Sequence, residues 1–466
     1  MDVTISKETI EHSGVFFDDA PVIVTITYDE YDPQDMSAKI TLVESRPNHQ
    51  RDAVRELRAD DTGNLVLREP IGGEEIMSLT SVHGLALKGY NANLGLEGYE
   101  LGFTHASIEN IDRVIIQIDL TPAEILSGNI RNSLNYNGTI TCEEMHSEKI
   151  EWESNYGTVR AEHRHSYEQV RAGDNRAIIQ IARPRIVYDF IGGLNISATE
   201  LKKNILSEVD DVALVLSLCS RKMVSWYKAE FILKGISEDS QSRQMIARRK
   251  RYARTYPKHQ QPSVTYANLS SGGLAGLVSR FRESPIRESL RRSIVFLVFS
   301  HANQAIEQKF FSVFASLDAF CHSYWEQDTS AAKMPSSVWK RIEKKLRTAL
   351  RELDGPDEKH AEAVKEKLPE LQRPTTIKKI VHCCTMLSIP TDDLWQQEGF
   401  EAGLGGALKA RNLLFHTANS EDPILLHDDC IRMQILVERL VFSLLEWPEE
   451  KLTLWYDWSL SSMNYP

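Results

Sequence analysis

The period at which apolar residues recur changes once along this chain, and that change limits what it can fold into. Up to about Gly193 they recur at every second position, as in VIVTITY (22–28), AKITLVES (38–45), RVIIQIDL (113–120) and RAIIQIARPRIVYDF (176–190). A period of two sends alternate side chains to opposite faces of an extended chain, so these segments predict half-buried strands. Between strand-like segments lie YDPQD, DDTGN, NYNGT and IGGLN, whose Gly, Asn, Asp and Pro favour tight turns. An antiparallel sheet or sandwich is therefore expected over residues 1–195. From about Ile286 to Trp447 the apolar positions fall at steps of three and four instead, which predicts helices over 287–324, 336–353, 375–389, 398–417 and 425–447. IPTDD, from Ile389, offers Thr391 or Asp392 as an N-cap. Strands followed by helices predict an α+β multidomain chain: a β-rich N-terminal domain, an all-α bundle over 286–450 and an aromatic tail, 451–466.

The segment between them, 196–285, reads as a mixed connector. Ser197 can cap a helix whose Leu201, Ile205, Val209, Val212 and Leu216 share a face. RKMVSWYKAEFILKG (221–235) is β-branched and aromatic, and predicts a strand or hairpin added to the preceding sheet. NLSSGGLAGL (268–277) predicts a hinge.

With 466 residues, 42% of them hydrophobic, there is apolar material for two or three cores. The six cysteines form no CxxC pair, which predicts neither a zinc site nor a disulfide framework. MDVTISKETIEHSG lacks the features of a signal peptide, and the longest run of aliphatic and aromatic residues, IVFLVF (294–299), is too short to span a bilayer. A cytoplasmic protein without a membrane partner is expected. No P-loop, GxSxG or HExxH pattern is present, so those chemistries have no motif support and no cofactor is implied.

ALKARNLLFHTANSED (407–422) sets Arg411, Asn412 and His416 within an apolar helical run. Asn412 and His416 are four residues apart and share a helix face, and Arg411 is long enough to reach the same spot. Such a trio suits RNA cleavage by the 2′-hydroxyl: histidine moves a proton near neutral pH, arginine holds the phosphate, and the amide orients them. The plain alternative is a helix with a polar edge. The Arg-x4-His spacing also occurs at Arg160 with His165 and at Arg254 with His259, but those lie in a polar stretch and beside Pro257.

The region from Arg287 to Trp447 resembles a HEPN domain, a helical-bundle family whose ribonucleases carry an arginine, a polar residue and then a histidine. ANQAIEQKFFSVFASLDAF before the motif, TIKKIVHCCTMLSIPTDDL leading into it and CIRMQILVERLVFSLL after it are ordered most like the ApeA-type proteins of anti-phage defence, which join a β-rich domain to the bundle. The resemblance implies a metal-independent endoribonuclease active in abortive infection. Arg411, Asn412 and His416 would form a composite site shared across a homodimer or higher homo-oligomer. It also implies RNA as substrate, with transfer RNA one candidate, and an N-terminal domain that restrains the site or senses a trigger such as a phage-derived protein. Asp318 departs from the pattern, since relatives more often carry glutamate there. The alternative from another class is a non-catalytic module that binds RNA or a nucleotide or mediates assembly.

Three further features are weighed beside the motif. RQMIARRKRYARTYPKH (243–259) holds seven lysines or arginines and no acid within a chain of net charge -12. Arg248, Arg249, Lys250, Arg251 and Arg254, interleaved with tyrosines, are candidates to grip an RNA backbone, or else form a solvated or internally paired face. His163 and His165 with Glu162 have a strand-compatible ligand spacing but no third cluster, so no metal site is expected. Cys383 and Cys384 beside His382 read as buried small hydrophobes.

Overall fold

A computed structural model describes residues 7–16, 20–29, 36–42, 65–68, 75–80, 83–88, 91–95, 98–101, 111–121, 124–126, 130–134, 140–144, 150–172, 175–194, 196–235, 243–249, 256–257, 260–270, 272–328, 335–352, 357–372, 374–417 and 422–453. The chain divides into two compact units, Met1–Ser279 and Arg280–Pro466.

The first unit is built on strands β1 (Lys7–Phe16), β2 (Ala20–Asp29), β3 (Met36–Leu42), β4 (Leu65–Arg68), β5 (Glu75–Thr80), β6 (His83–Lys88), β7 (Asn91–Gly95) and β8 (Gly98–Leu101). It continues with β9 (Ile111–Thr121), β10 (Ile130–Leu134), β11 (Ile140–Glu144), β12 (Ile150–Ser154), β13 (Gly157–Ala172), β14 (Asn175–Ile191), helix α1 (Ala198–Ser220), β15 (Ser225–Gly235) and β16 (Arg243–Arg249). Fourteen of these strands form one hydrogen-bonded sheet in the order β12-β13-β14-β9-β15-β16-β8-β5-β4-β1-β2-β3-β7-β6, and β10 pairs with β11 apart from it. All pairings are antiparallel. The period-two segments occupy β2, β3, β9 and β14, where Val22, Val24 and Ile26 and then Val114, Ile116, Ile118 and Leu120 are buried at alternate positions. A one-residue slip between β9 and β14 would turn that row outward. It would also break the buried pairing of Arg185 with Asp119, whose Nη2 and Oδ1 are 2.7 Å apart where the two residues stand opposite each other.

The segment expected as a connector belongs mainly to this first unit. β15 lies between β9 and β16 inside the sheet, where ladders on both sides satisfy its backbone groups. Ser197 caps α1 by accepting a hydrogen bond from the Glu200 amide at 3.1 Å, and Leu201, Ile205, Val209, Val212 and Leu216 are fully buried along it. The expected hinge is instead two helices, α2 (Tyr266–Ser270) and α3 (Gly273–Glu283). Gly272 between them adopts φ +80°, a conformation open to a residue without a Cβ.

The second unit is helical: α4 (Arg287–Ser300), α5 (Ile306–Gln327), α6 (Ser336–Arg351), α7 (Asp357–Lys367), α8 (Thr376–Met386), α9 (Phe400–Thr417) and α10 (Pro423–Leu444). The long helix expected over 287–324 is broken at His301–Ala305 into α4 and α5, which fold back on each other. Small hydroxyl residues let them approach: Ser316 donates to the Ser293 carbonyl at 2.6 Å, and the Ser323 and Ser289 hydroxyls bond at 2.6 Å. Thr391 and Asp392 cap no helix. They lie in turns before α9, and neighbouring Asp393 accepts two hydrogen bonds from Arg439. Asp422 caps α10 through the Ile424 and Leu425 amides, with Pro423 in the first turn. No helix among the described residues is long and apolar enough to cross a membrane.

Candidate functional site

α9 carries the motif. It begins after Gly399, buries Gly403, Leu404, Ala407 and Leu414, and touches α5, α8 and α10. Gly403 allows the close approach that anchors it: a Cβ there would lie 2.1 Å from Cγ of Trp395, whose Nε1 donates to Asp429 of α10 at 3.0 Å. Leu414 faces inward one turn before the helix ends, so Asn412 and His416 are left on the solvent side. Neither has a side-chain partner among the described residues.

Arg411 turns the other way. Its guanidinium lies 3.5 Å from Oδ2 of Asp318 on α5, and 5.9 and 5.8 Å from the ring centroids of Phe314 and Phe415. A separation of 3.5 Å exceeds ordinary hydrogen-bond length, and with the side chains 30% and 44% exposed this is a loose, water-screened pair. The arginine is therefore held in place yet exchangeable. Burial holds the Asp318 carboxyl above the usual carboxylate range, against the opposing pull of Arg411, Lys379 and His322. Lys379 of α8 donates to Nδ1 of His322 at 2.9 Å, one helical turn beyond Asp318.

Between α5 and α9 is an open groove of about 590 Å³ lined by Phe311, Phe314, Ala315, Asp318, Arg411, Leu414 and Phe415. Phe415 is 70% exposed, and its ring meets Phe311 edge to face, with centroids 5.4 Å apart.

The three motif residues are thus distributed rather than clustered. Asn412 and His416 share the solvent face as the four-residue spacing requires, Arg411 enters the groove, and no hydrogen bond links the three among the described residues. The aromatic wall and the His322–Lys379 pair were not singled out from the sequence. Their signal was there, since Phe311, Phe314, Ala315, Asp318 and His322 recur at steps of three and four along α5 and so line one side of it.

Of the residues expected to grip RNA, Arg248 is instead buried and Arg249 is held by partners within the chain. β16 is an interior strand, paired with β15 on one side and β8 on the other. Arg248 is 6% exposed, and Arg249 is spent on the Trp226 carbonyl at 2.8 Å, Asp210 at 3.1 Å and the Trp226 ring at 4.1 Å. Lys250, Arg251 and Arg254 lie outside the described residues. So do Arg254 and His259 of one Arg-x4-His pair. In the other, Arg160 lies on β13 paired with Glu162, and His165 lies five positions along the same strand. The side chains of His163 and His165 lie outside the described residues.

Among the described residues no group of three or more His, Cys, Asp or Glu could hold a metal ion. His382 bonds Asp328 at 2.7 Å, and its neighbours Cys383 and Cys384 are buried. Burial pushes the Cys384 and Cys430 thiols up to about 12, so both are protonated and unreactive near neutral pH. No known protein family, curated protein or solved structure matches the chain.

Proposed function

We propose that the helical unit is a metal-independent endoribonuclease of the HEPN type, acting on RNA in anti-phage defence. The observation that carries this reading is the combined state of the RNLLFH residues. His416 and Asn412 stand open to solvent on α9, and Arg411 beside them is held by a loose, exchangeable pair with Asp318.

The chemistry follows from those groups. A phosphate oxygen replaces Asp318 as partner of Arg411, gaining a planar two-pronged donor that suits a phosphate. An imidazole takes the proton of the 2′-hydroxyl as its oxygen attacks the adjacent phosphorus. The bond to the 5′-oxygen breaks, and that oxygen leaves with a proton from a second acid. The products are a 2′,3′-cyclic phosphate and a 5′-hydroxyl. One imidazole cannot be base and acid in the same step, so a second copy of the chain facing the first supplies the other His416. Asn412 orients the phosphate and imidazole, and transfer RNA is one substrate that presents the needed unpaired loops. The β-rich unit is assigned restraint of this activity or detection of its trigger, a phage-derived protein.

A second reading, a binding or assembly module without catalysis, is favoured by the exposed apolar side chains of Phe415, Ile424 and Leu425. Incubation of the purified chain with total RNA in EDTA, alone and with lysate from infected cells as a source of trigger, separates the two. Cleavage by wild type, lost in both His416→Ala and Arg411→Ala, with fragments ending in a cyclic phosphate, supports the nuclease. Equal inertness of all three proteins under both conditions supports the module.

A further inference from the structure

The groove next to Arg411 has a composition that the cleavage chemistry alone does not call for. Phosphate transfer needs cations and a proton carrier, yet this groove is walled by phenyl rings and holds one carboxylate, Asp318. A carboxylate repels phosphate and only accepts hydrogen bonds, so it suits a donor-rich group carried by the ligand. Its Oδ2 faces Arg411 at 3.5 Å, and Oδ1 has no partner among the described residues. Phe415 offers its ring to solvent at a right angle to Phe311, a corner in which a planar ring can lie flat on one phenyl with its edge near the other. About 590 Å³ is ample for a nucleobase and its sugar.

We infer that this groove is a base-recognition subsite, in which an unpaired guanine next to the scissile phosphate stacks on Phe415 and presents its Watson–Crick edge to Asp318. The inference rests on the nuclease reading for its place in a reaction, and it adds the substrate feature that reading leaves open. Guanine is singled out by hydrogen-bond chemistry. It carries two adjacent donors, N1–H and the N2 amino group, that match the two oxygens of one carboxylate. Uracil sets its single N3–H between two carbonyls that a carboxylate repels. Adenine and cytosine pair one amino donor with a ring-nitrogen acceptor. A polar group matched by one ligand edge favours that ligand over those that lack it. Arg411 at the mouth of the same groove then holds the adjoining phosphate, so base and phosphate are positioned together.

The test measures binding separately from cleavage. Labelled 2′-O-methyl trinucleotides of sequence UNU, in which the attacking hydroxyl is blocked, are titrated into the full-length chain by fluorescence anisotropy, and the matching ribose trinucleotides are assayed for cleavage. UGU is expected to bind about ten-fold or more tightly than UUU, UAU or UCU. Phe415→Ala should weaken all four by about ten-fold. Asp318→Asn should remove the preference for guanine while retaining the stacking affinity. UGU preference without cleavage of any ribose trinucleotide or of total RNA, alone or with lysate from infected cells as the source of trigger, would overturn the nuclease reading and leave the subsite standing. Cleavage with no guanine preference, or a preference that survives Asp318→Asn, would overturn the subsite and leave the nuclease standing. If Phe415→Ala dissociates an oligomer while UGU affinity is unchanged, the aromatic corner is an interface between copies and the subsite is likewise overturned.

Discussion

Asp318 illustrates how one side chain's surroundings set both stability and chemistry. Its carboxyl is raised chiefly by burial, with Arg411 the first of the cations opposing that rise. The folded state thus favours the neutral acid more than the unfolded chain does. That contribution is complete below the ordinary aspartate pKa of about 4 and is lost as pH climbs through the raised value. At neutral pH the ionised carboxylate is a small net cost, limited by water because the side chain is 44% exposed. Asp318→Asn is therefore expected to stabilise the protein relative to wild type more at pH 7 than at pH 4, by less than about 1 kcal/mol. Urea unfolding at the two pH values checks this, and a stabilisation that shrinks as pH rises would show that the Arg411 pair, not burial, dominates. The role of position 318 could not be read from the residue itself. It depends on Arg411, brought close only when α5 and α9 pack.

Among elements, α9 is the one whose composition looks least suited to its role. Three glycines in FEAGLGGALKARNLLFHT should each weaken a helix by about 0.5–1 kcal/mol. Their surroundings separate them. Gly403 abuts the Trp395 ring, whereas nothing lies within 4 Å of the Cβ position of Gly406. Gly403→Ala is expected to destabilise by about 1–3 kcal/mol through overpacking. Gly406→Ala is expected to stabilise by about 0.5–1 kcal/mol through helix propensity. Chemical denaturation of both variants reads the contrast, and a stabilising Gly403→Ala would show that Trp395 can move aside. The helix itself was legible from its apolar spacing. The break between α4 and α5 was not, because their spacing runs nearly in phase across the HANQA turn and only the serine-mediated contact between the two helices requires a reversal.

For the whole molecule, the division near residue 280 predicts separate folding. The helical unit has its own core, including Phe310, Phe314, Leu317, Phe320, Leu436 and Leu440, all buried. A fragment spanning 280–466 is expected to give a helical circular dichroism spectrum and one cooperative thermal transition. A gradual, non-cooperative melt would mean that its core is incomplete without the sheet. The amino-acid sequence by itself determined where strands give way to helices and which helix carries Arg411, Asn412 and His416, because hydrophobic period and residue spacing are local properties. Tertiary structure alone decided that β16 pairs between β15 and β8, that Arg248 is buried and Arg249 is held by Asp210 and Trp226, and that Phe311, Asp318 and Phe415 make one groove. Each of those depends on which distant segment packs alongside, and no local pattern encodes the partner.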